Sequence, residues 1–270
     1  MKTSLAFRAR HLFKKIIKYF CPGIFPDRAT FESVAQSASA FGCELQYMMD
    51  INSTSHWHSA EFVARFGGYS PPGEERTLGR IRAGDRVRSD MLMLLLRQII
   101  VRQVPGALAE LGVHRGDSAR LLHHYCPERK FYLFDTFAGF AKSDFAKESL
   151  KMGFNEEQQF TDTNVRVVLE TIAPRNAHAI PIVGWFPASV TPEVAAETFA
   201  FVHLDADLEA PTAAGLDFFW PRLSPGGFIV VHDYNSWPGA RLAVDRFLTQ
   251  NRAAAVPMSD KSGSIVLAKI

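Results

Sequence analysis

Two short apolar runs of this 270-residue chain end in acids. Val202-His203-Leu204-Asp205-Ala206-Asp207 closes one, and Val230-Val231-His232-Asp233-Tyr234-Asn235 closes the other. Read as strands, they place alternate residues on one face, so His203, Asp205 and Asp207 share a side. In an open parallel sheet, ligands gather at the carboxyl ends of the strands. Asp205 and Asp233 are therefore expected to flank one crevice. Two converging carboxylates suit a hard cation such as Mg²⁺, which takes oxygen ligands and keeps several waters. The competing reading is that strand-end acids cap the loop or helix that follows. His203 reads as a hydrogen-bonded core residue, and His123 and His124 as surface or packing residues of a helix.

A second constellation lies upstream. Ala107-Leu-Ala-Glu110-Leu-Gly112-Val-His-Arg-Gly116-Asp-Ser runs from an apolar stretch through an acid and two glycines into helix-like sequence. Glycines let the backbone approach a ligand, and a helix start offers free N–H groups. Phe131-Tyr-Leu-Phe-Asp135 then reads as a second strand with an acid at its tip, where a carboxylate commonly accepts from ribose hydroxyls. The three-glycine dinucleotide fingerprint is missing, and with it the close approach of a pyrophosphate. The pairing points to an adenosine cofactor without a pyrophosphate, S-adenosylmethionine. Alone, the glycine turn could equally be a compact connection.

These residues need a sheet to hold them. Strands are predicted at Ala107–Gly112, Phe131–Asp135, Ala179–Val183, Phe199–Asp205, Phe228–Asp233, Ala253–Met258 and Ser264–Lys269. Helices are predicted at Asp85–Gln103, from Ser118 to Tyr125, at Asp162–Ile172 and at Pro211–Pro221. The central runs are continuously apolar, as parallel strands covered on both faces should be. Ser259–Gly263 is too short for a crossover, so the last two strands must pair antiparallel. A mostly parallel seven-stranded α/β sheet with a C-terminal antiparallel hairpin is the class I methyltransferase (Rossmann-like) architecture. The expected division is an N-terminal helical extension over 1–84, shaping an acceptor pocket or oligomer contacts, and a cofactor-binding domain over 85–270.

Composition sets the outer bounds. Lysines and arginines number 30 against 28 acids, and this near balance argues against nucleic acid as a partner. The three cysteines are scattered, without metal-type spacing, and point to a reduced, cytoplasmic setting. No run of about 18 apolar residues is present. The start of the chain is basic, with Lys2, Arg8, Arg10, Lys14, Lys15 and Lys18 ahead of the first acid, Asp27. Leu5, Leu12, Phe13, Ile16, Ile17 and Phe20 recur between them at helical spacing. Residues 1–20 thus read as a basic amphipathic helix. It either packs on its own domain or on a second copy in a homo-oligomer, the favoured reading, or makes peripheral contact with an anionic membrane surface.

From Arg88 to Phe247 the chain resembles the macrocin O-methyltransferase (TylF-like) family. The matching segments include Pro105-Gly106, Glu110-Leu-Gly112-Val-His-Arg-Gly116, Asp135-Thr-Phe-Ala-Gly139, Gly184-Trp185-Phe186, His203-Leu-Asp205-Ala-Asp207-Leu, Leu223-Ser-Pro-Gly-Gly227 and Asp233-Tyr234, with Pro238-Gly239-Ala-Arg241 after it. The resemblance implies S-adenosylmethionine-dependent, Mg²⁺-assisted O-methylation of a hydroxyl on a sugar, glycan or other diol-bearing small molecule. It implies cofactor contacts at Glu110, Gly112, Val113, Gly116, Asp135, Thr136, Gly184 and Trp185, and metal ligands at Asp205 and Asp233. Asp205 is the expected catalytic residue, accepting the hydroxyl proton. Two positions depart from the family. His232 stands where an aspartate is usual, and Glu209 where a tyrosine is usual. Two rival readings remain at this level: a glycosyltransferase using Asp205-Ala-Asp207 as a metal-binding Asp-x-Asp, and a non-catalytic methyltransferase-fold binding protein.

Overall fold

The computed structural model describes residues 81, 85–141, 144–145, 160–174 and 176–270. The basic segment 1–20, Cys21, Cys43 and nearly all of the expected extension 1–84 lie outside the described residues. The elements are α1 (Arg86–Val101), β1 (Ala107–Leu111), α2 (Asp117–Tyr125), β2 (Phe131–Asp135), α3 (Val165–Ile172), β3 (Ala179–Val183), α4 (Pro192–Ala195), β4 (Phe199–Leu204), α5 (Glu209–Arg222), β5 (Leu223–Val231), α6 (Pro238–Gln250), β6 (Ala254–Pro257) and β7 (Ile265–Ala268). They belong to one compact unit, Tyr69–Ile270.

The strands form one seven-stranded sheet in the order β3-β2-β1-β4-β5-β7-β6. β1 lies parallel between β2 and β4, and β3 and β5 extend the parallel part on either side. β7 runs antiparallel to both β5 and β6, as the short connection between β6 and β7 requires. The apolar runs are continuous because both faces are covered. Leu108, Phe131, Leu133 and Val230 meet Leu92, Leu96, Leu122 and Val168 of α1, α2 and α3 in one layer. Ala109, Phe134, Val202 and Val231 meet Leu216, Phe219 and Phe247 of α5 and α6 in the other. Many of the abundant phenylalanines lie in this second layer. Phe134, Phe186 and Phe199 meet Phe219 at ring separations of 5.8, 5.6 and 5.0 Å, a packing that adds to the area each ring buries.

Local signals fix the helix starts. Asp85 caps α1, its Oδ1 accepting from the N–H groups of Val87 and Arg88 at 3.0 and 3.2 Å. Asn164 caps α3, which therefore begins after Asp162 rather than at it. Pro238 opens α6 at the position where a missing N–H costs nothing. β5 starts at Leu223, ahead of the Phe228 expected, because Pro225-Gly226-Gly227 continues the strand instead of preceding it. The β6–β7 turn is stapled by Asp260, whose carboxylate accepts from the N–H and hydroxyl of Ser264. Its tip is pinned by the Asn235 N–H to Gly263 O bond, 3.0 Å, and the Lys261 N–H to Asp85 Oδ2 bond, 2.8 Å. No described helix is long and apolar enough to cross a membrane.

Candidate active site

A cavity of about 700 Å³ opens over the carboxyl ends of β1, β2, β4 and β5. Six of the eight residues expected to contact the cofactor line it: Gly112, Val113, Asp135, Thr136, Gly184 and Trp185. Gly112 has φ +88°, and a Cβ there would lie 2.0 Å from the carbonyl oxygen of Asp205. Only glycine lets β1 leave the sheet this close to β4. The other two, Glu110 and Gly116, do not line it. Glu110 is fully buried beneath the turn, where one carboxylate oxygen accepts from the Ser118 hydroxyl and lies 2.8 Å from His203 Nδ1. Gly116 is the α2 cap, and a Cβ there would face Val168 of α3 at 3.3 Å. Both shape the turn from behind the cavity wall.

Asp135 stands at the tip of β2 as expected, but its carboxylate already holds backbone. Oδ2 accepts from the N–H groups of Val113 and His114, both at 2.8 Å, and Oδ1 from that of Phe137 at 2.7 Å. It ties the β1–α2 turn to β2, and it keeps one acceptor site, on Oδ1, beyond these three bonds. Thr136 caps the next turn, its hydroxyl donating to Gly139 O at 2.7 Å.

The opposite side of the cavity holds Asp205, Asp207, His232 and Asp233. His232 Nδ1 lies 2.7 Å from Asp205 Oδ1 and 3.0 Å from Asp233 Oδ2. The remaining oxygens are engaged from outside. Arg88 Nη1 donates to Asp205 Oδ2 at 3.2 Å, and the Ser236 hydroxyl donates to Asp233 Oδ1 at 2.6 Å. Burial alone would push the Asp205 carboxyl up, but the charge and hydrogen bond of His232, then Arg88, hold it far below the usual carboxylate range. Burial would likewise lower His232, yet the Asp205 carboxylate raises it to about 10. Asp233 is also lowered, its burial outweighed by its hydrogen bonds to His232 and Asp207. Asp207 moves the other way. Burial, the Asp205 charge and its bond to Asp233 raise it well above the ordinary value. Asp205 and Asp233 are thus held toward the charged form, and Asp207 is pushed toward the neutral one.

Asp207 departs from the face expected of it. β4 ends at Leu204, and Asp207 adopts φ +58°, as does Asp233. Both take left-handed backbone, which is uncommon at non-glycine residues, and both line the cavity. Glu209, where the family has tyrosine, bonds Arg246 of α6 at 2.8 Å and does not line the cavity. His203 is the buried core residue expected, and buried His123 stacks on Phe131 at 6.2 Å.

Sequence spacing gave no signal for Arg88, which reaches Asp205 from 117 positions away. Nor did it reveal the aromatic side of the cavity, where Phe160 meets His114 at 5.0 Å and Phe140 at 5.3 Å.

The chain matches the macrocin-O-methyltransferase (TylF) family over residues 66–264. It is 30% identical over 157 residues to a tetracenomycin-class 4'-O-methyltransferase of Streptomyces olivaceus, covering 54% of this chain and 60% of that one. It is 26% identical over 191 residues to the demethyldecarbamoylnovobiocin O-methyltransferase of Streptomyces niveus, covering 65% and 69%. The matches thus span about six- to seven-tenths of these relatives' length. Among solved structures, the O-methyltransferase NovP aligns with TM-score 0.57 at 23% identity, covering 67% of this chain and 79% of that one. The calicheamicin methyltransferase CalS11 aligns with TM-score 0.59 at 20% identity, covering 77% and 90%. These likenesses show the class I methyltransferase fold. With the family matched over most of its length, the chain belongs to the macrocin-O-methyltransferase (TylF) family.

Proposed function

We propose that this chain transfers the methyl group of S-adenosylmethionine to a hydroxyl of a sugar or other diol-bearing acceptor, assisted by a divalent cation, Mg²⁺ in the simplest case. One observation carries the reading: a single cavity joins the β1–α2 turn and Asp135 at one side to Asp205 and Asp233 at the other. The first side offers a cofactor a close glycine turn and a strand-tip carboxylate. The second offers an acceptor hydroxyl its anionic partners. Phe140, Phe160 and His114 line the cavity between them, and aromatic faces of this kind pack against the C–H face of a sugar ring.

The donor set fits a divalent cation. Asp205, His232 and Asp233 each present one ligand atom, all within 4.8 Å of one another. Such an ion would lower the pKa of a bound hydroxyl and hold it in place. The cofactor supplies an electrophilic methyl on a sulfonium, open to in-line attack. The protein aligns the two partners, which alone removes much of the barrier. Asp205 accepts the hydroxyl's hydrogen bond and takes its proton as the carbon–oxygen bond forms and the carbon–sulfur bond breaks. Held low by His232 and Arg88, Asp205 is a weak base. It suffices, because an alcohol oxygen becomes strongly acidic once it carries a new bond to carbon.

The Asp-x-Asp glycosyltransferase reading fits less well, since the Asp207 carboxyl bonds Asp233 and is not grouped with Asp205 as a ligand. Calorimetry with S-adenosylmethionine and with nucleotide sugars, followed by methyl transfer to a panel of diols, tests the proposal. Binding of the sulfonium cofactor and methylation of a diol are expected. Absence of cofactor binding would refute the reading, and binding without turnover on any diol would favour a non-catalytic binding protein.

A further inference from the structure

Replacing an aspartate by His232 changes more than the charge of the acid cluster. The imidazole stands where the two carboxylates converge. Its Nδ1 lies 2.7 Å from Asp205 Oδ1 and 3.0 Å from Asp233 Oδ2. Two adjacent ligands of an octahedral ion at about 2.1 Å lie about 3 Å apart, so these two separations suit an imidazole nitrogen adjacent to each carboxylate oxygen on a six-coordinate ion. The backbone fixes the arrangement. The His232 N–H bonds Leu204 O at 2.8 Å, holding the end of β5 beside that of β4.

The outer partners are equally selective. Arg88 holds Asp205 Oδ2 and Ser236 holds Asp233 Oδ1, so each carboxylate has one oxygen restrained and the other turned toward His232 Nδ1. Partners of this kind orient the atoms that bind a metal and make each carboxylate a one-oxygen ligand. Arg88 also places a guanidinium against Asp205 Oδ2, at 3.2 Å. The site offers one imidazole nitrogen and two carboxylate oxygens rather than three carboxylate oxygens.

We propose that Asp205 Oδ1, His232 Nδ1 and Asp233 Oδ2 form a mixed imidazole–carboxylate centre that selects a first-row transition dication of the Mn²⁺ or Co²⁺ type over Mg²⁺. Mg²⁺ prefers oxygen ligands and dehydrates reluctantly, whereas imidazole nitrogen is a good donor to the later ions. The proposal rests on the divalent-cation part of the function proposed above, and not on the identity of the acceptor.

The test uses the full chain stripped of metal by chelator. Mn²⁺ and Mg²⁺ are titrated separately, and pulsed electron paramagnetic resonance of the Mn²⁺-loaded protein looks for modulation by an imidazole nitrogen. Mn²⁺ is expected to bind at least about tenfold more tightly than Mg²⁺, with nitrogen modulation that changes when the protein carries isotopically labelled histidine. In His232→Asp the modulation should vanish and the Mn²⁺ preference fall about tenfold. Mn²⁺ bound without nitrogen modulation would overturn the proposal, as would no specific Mn²⁺ binding, which would leave His232 as an internal cation for the two acids. The labelled wild-type protein keeps the test decisive if the variant fails to fold. S-adenosylmethionine affinity measured on the same metal-free sample separates failure of the metal centre from failure of the methyltransferase reading.

Discussion

Asp135→Asn separates two roles that one carboxylate is expected to combine. The substitution keeps shape and volume, so no cavity forms. It replaces one acceptor oxygen by an NH₂ group where three backbone N–H groups now converge, those of Val113 and His114 on Oδ2 and of Phe137 on Oδ1. The best orientation keeps the amide oxygen on Val113 and His114 and turns the NH₂ toward the Phe137 N–H. One charge-assisted bond is then lost, at about 1.5–3 kcal/mol, and the other two fall to the neutral range of about 0.5–1.5 kcal/mol each. Water can reach this partly exposed group and recovers some of the loss. A net destabilisation of about 2–4 kcal/mol is expected at pH 7. Urea unfolding followed by circular dichroism measures it, and calorimetry on the folded variant should show S-adenosylmethionine affinity reduced about tenfold or more. A stability change under about 0.5 kcal/mol would refute the three-bond staple. Loss of stability with unchanged affinity would remove the ribose contact and leave Asp135 purely structural.

Further expectations follow from the same geometry. Asp205→Asn should abolish detectable turnover while leaving S-adenosylmethionine affinity within about threefold by calorimetry, because the residue faces the acceptor; retained turnover would exclude it as the proton acceptor. Gly112→Ala should destabilise the domain by about 3 kcal/mol or more, because a Cβ there meets the Asp205 carbonyl at 2.0 Å; a thermal midpoint equal to that of the parent would contradict the close strand approach. Cys126 is pushed up by burial to about 11, with Arg129 pulling it back only partly. In the folded chain it should resist iodoacetamide at pH 9 and react on unfolding, as peptide mapping by mass spectrometry can show.

Sequence reading went furthest where burial dictates residue type. β2 was legible to the residue because a strand covered on both faces must be an unbroken apolar run, β3 kept its expected bounds as a half-buried edge strand, and the antiparallel hairpin followed from a connection too short for anything else. Asp205 and Asp233 were legible as strand-tip acids facing one crevice. What spacing could not show was who meets them. Arg88 comes from a helix far upstream, and His232 looked like a mere substitution until its ring stood between the two carboxylates. The burial of Glu110 was hidden for a related reason. An acid before a glycine turn looks exposed to a ligand, yet Ser118 and His203 supply the partners that allow it to be buried. Backbone donors leave no trace in side-chain patterns at all, so the threefold hold on Asp135 was invisible.

The sheet order carries a consequence for how the chain is made. β6 touches the sheet only through β7, which lies between it and β5. During synthesis β6 therefore emerges before the strand that anchors it, and the outer edge of β5 stays unpaired until Ile265–Ala268 has appeared. An open edge beside an apolar strand is a template for pairing with other chains. The same late segment brings the Lys261 N–H to the Asp85 cap, 176 positions earlier. Assembly of the cavity rim thus waits on this segment. A nascent chain that stalls between β6 and β7 would carry the cofactor turn and every acid of the site, but no closed sheet to support them.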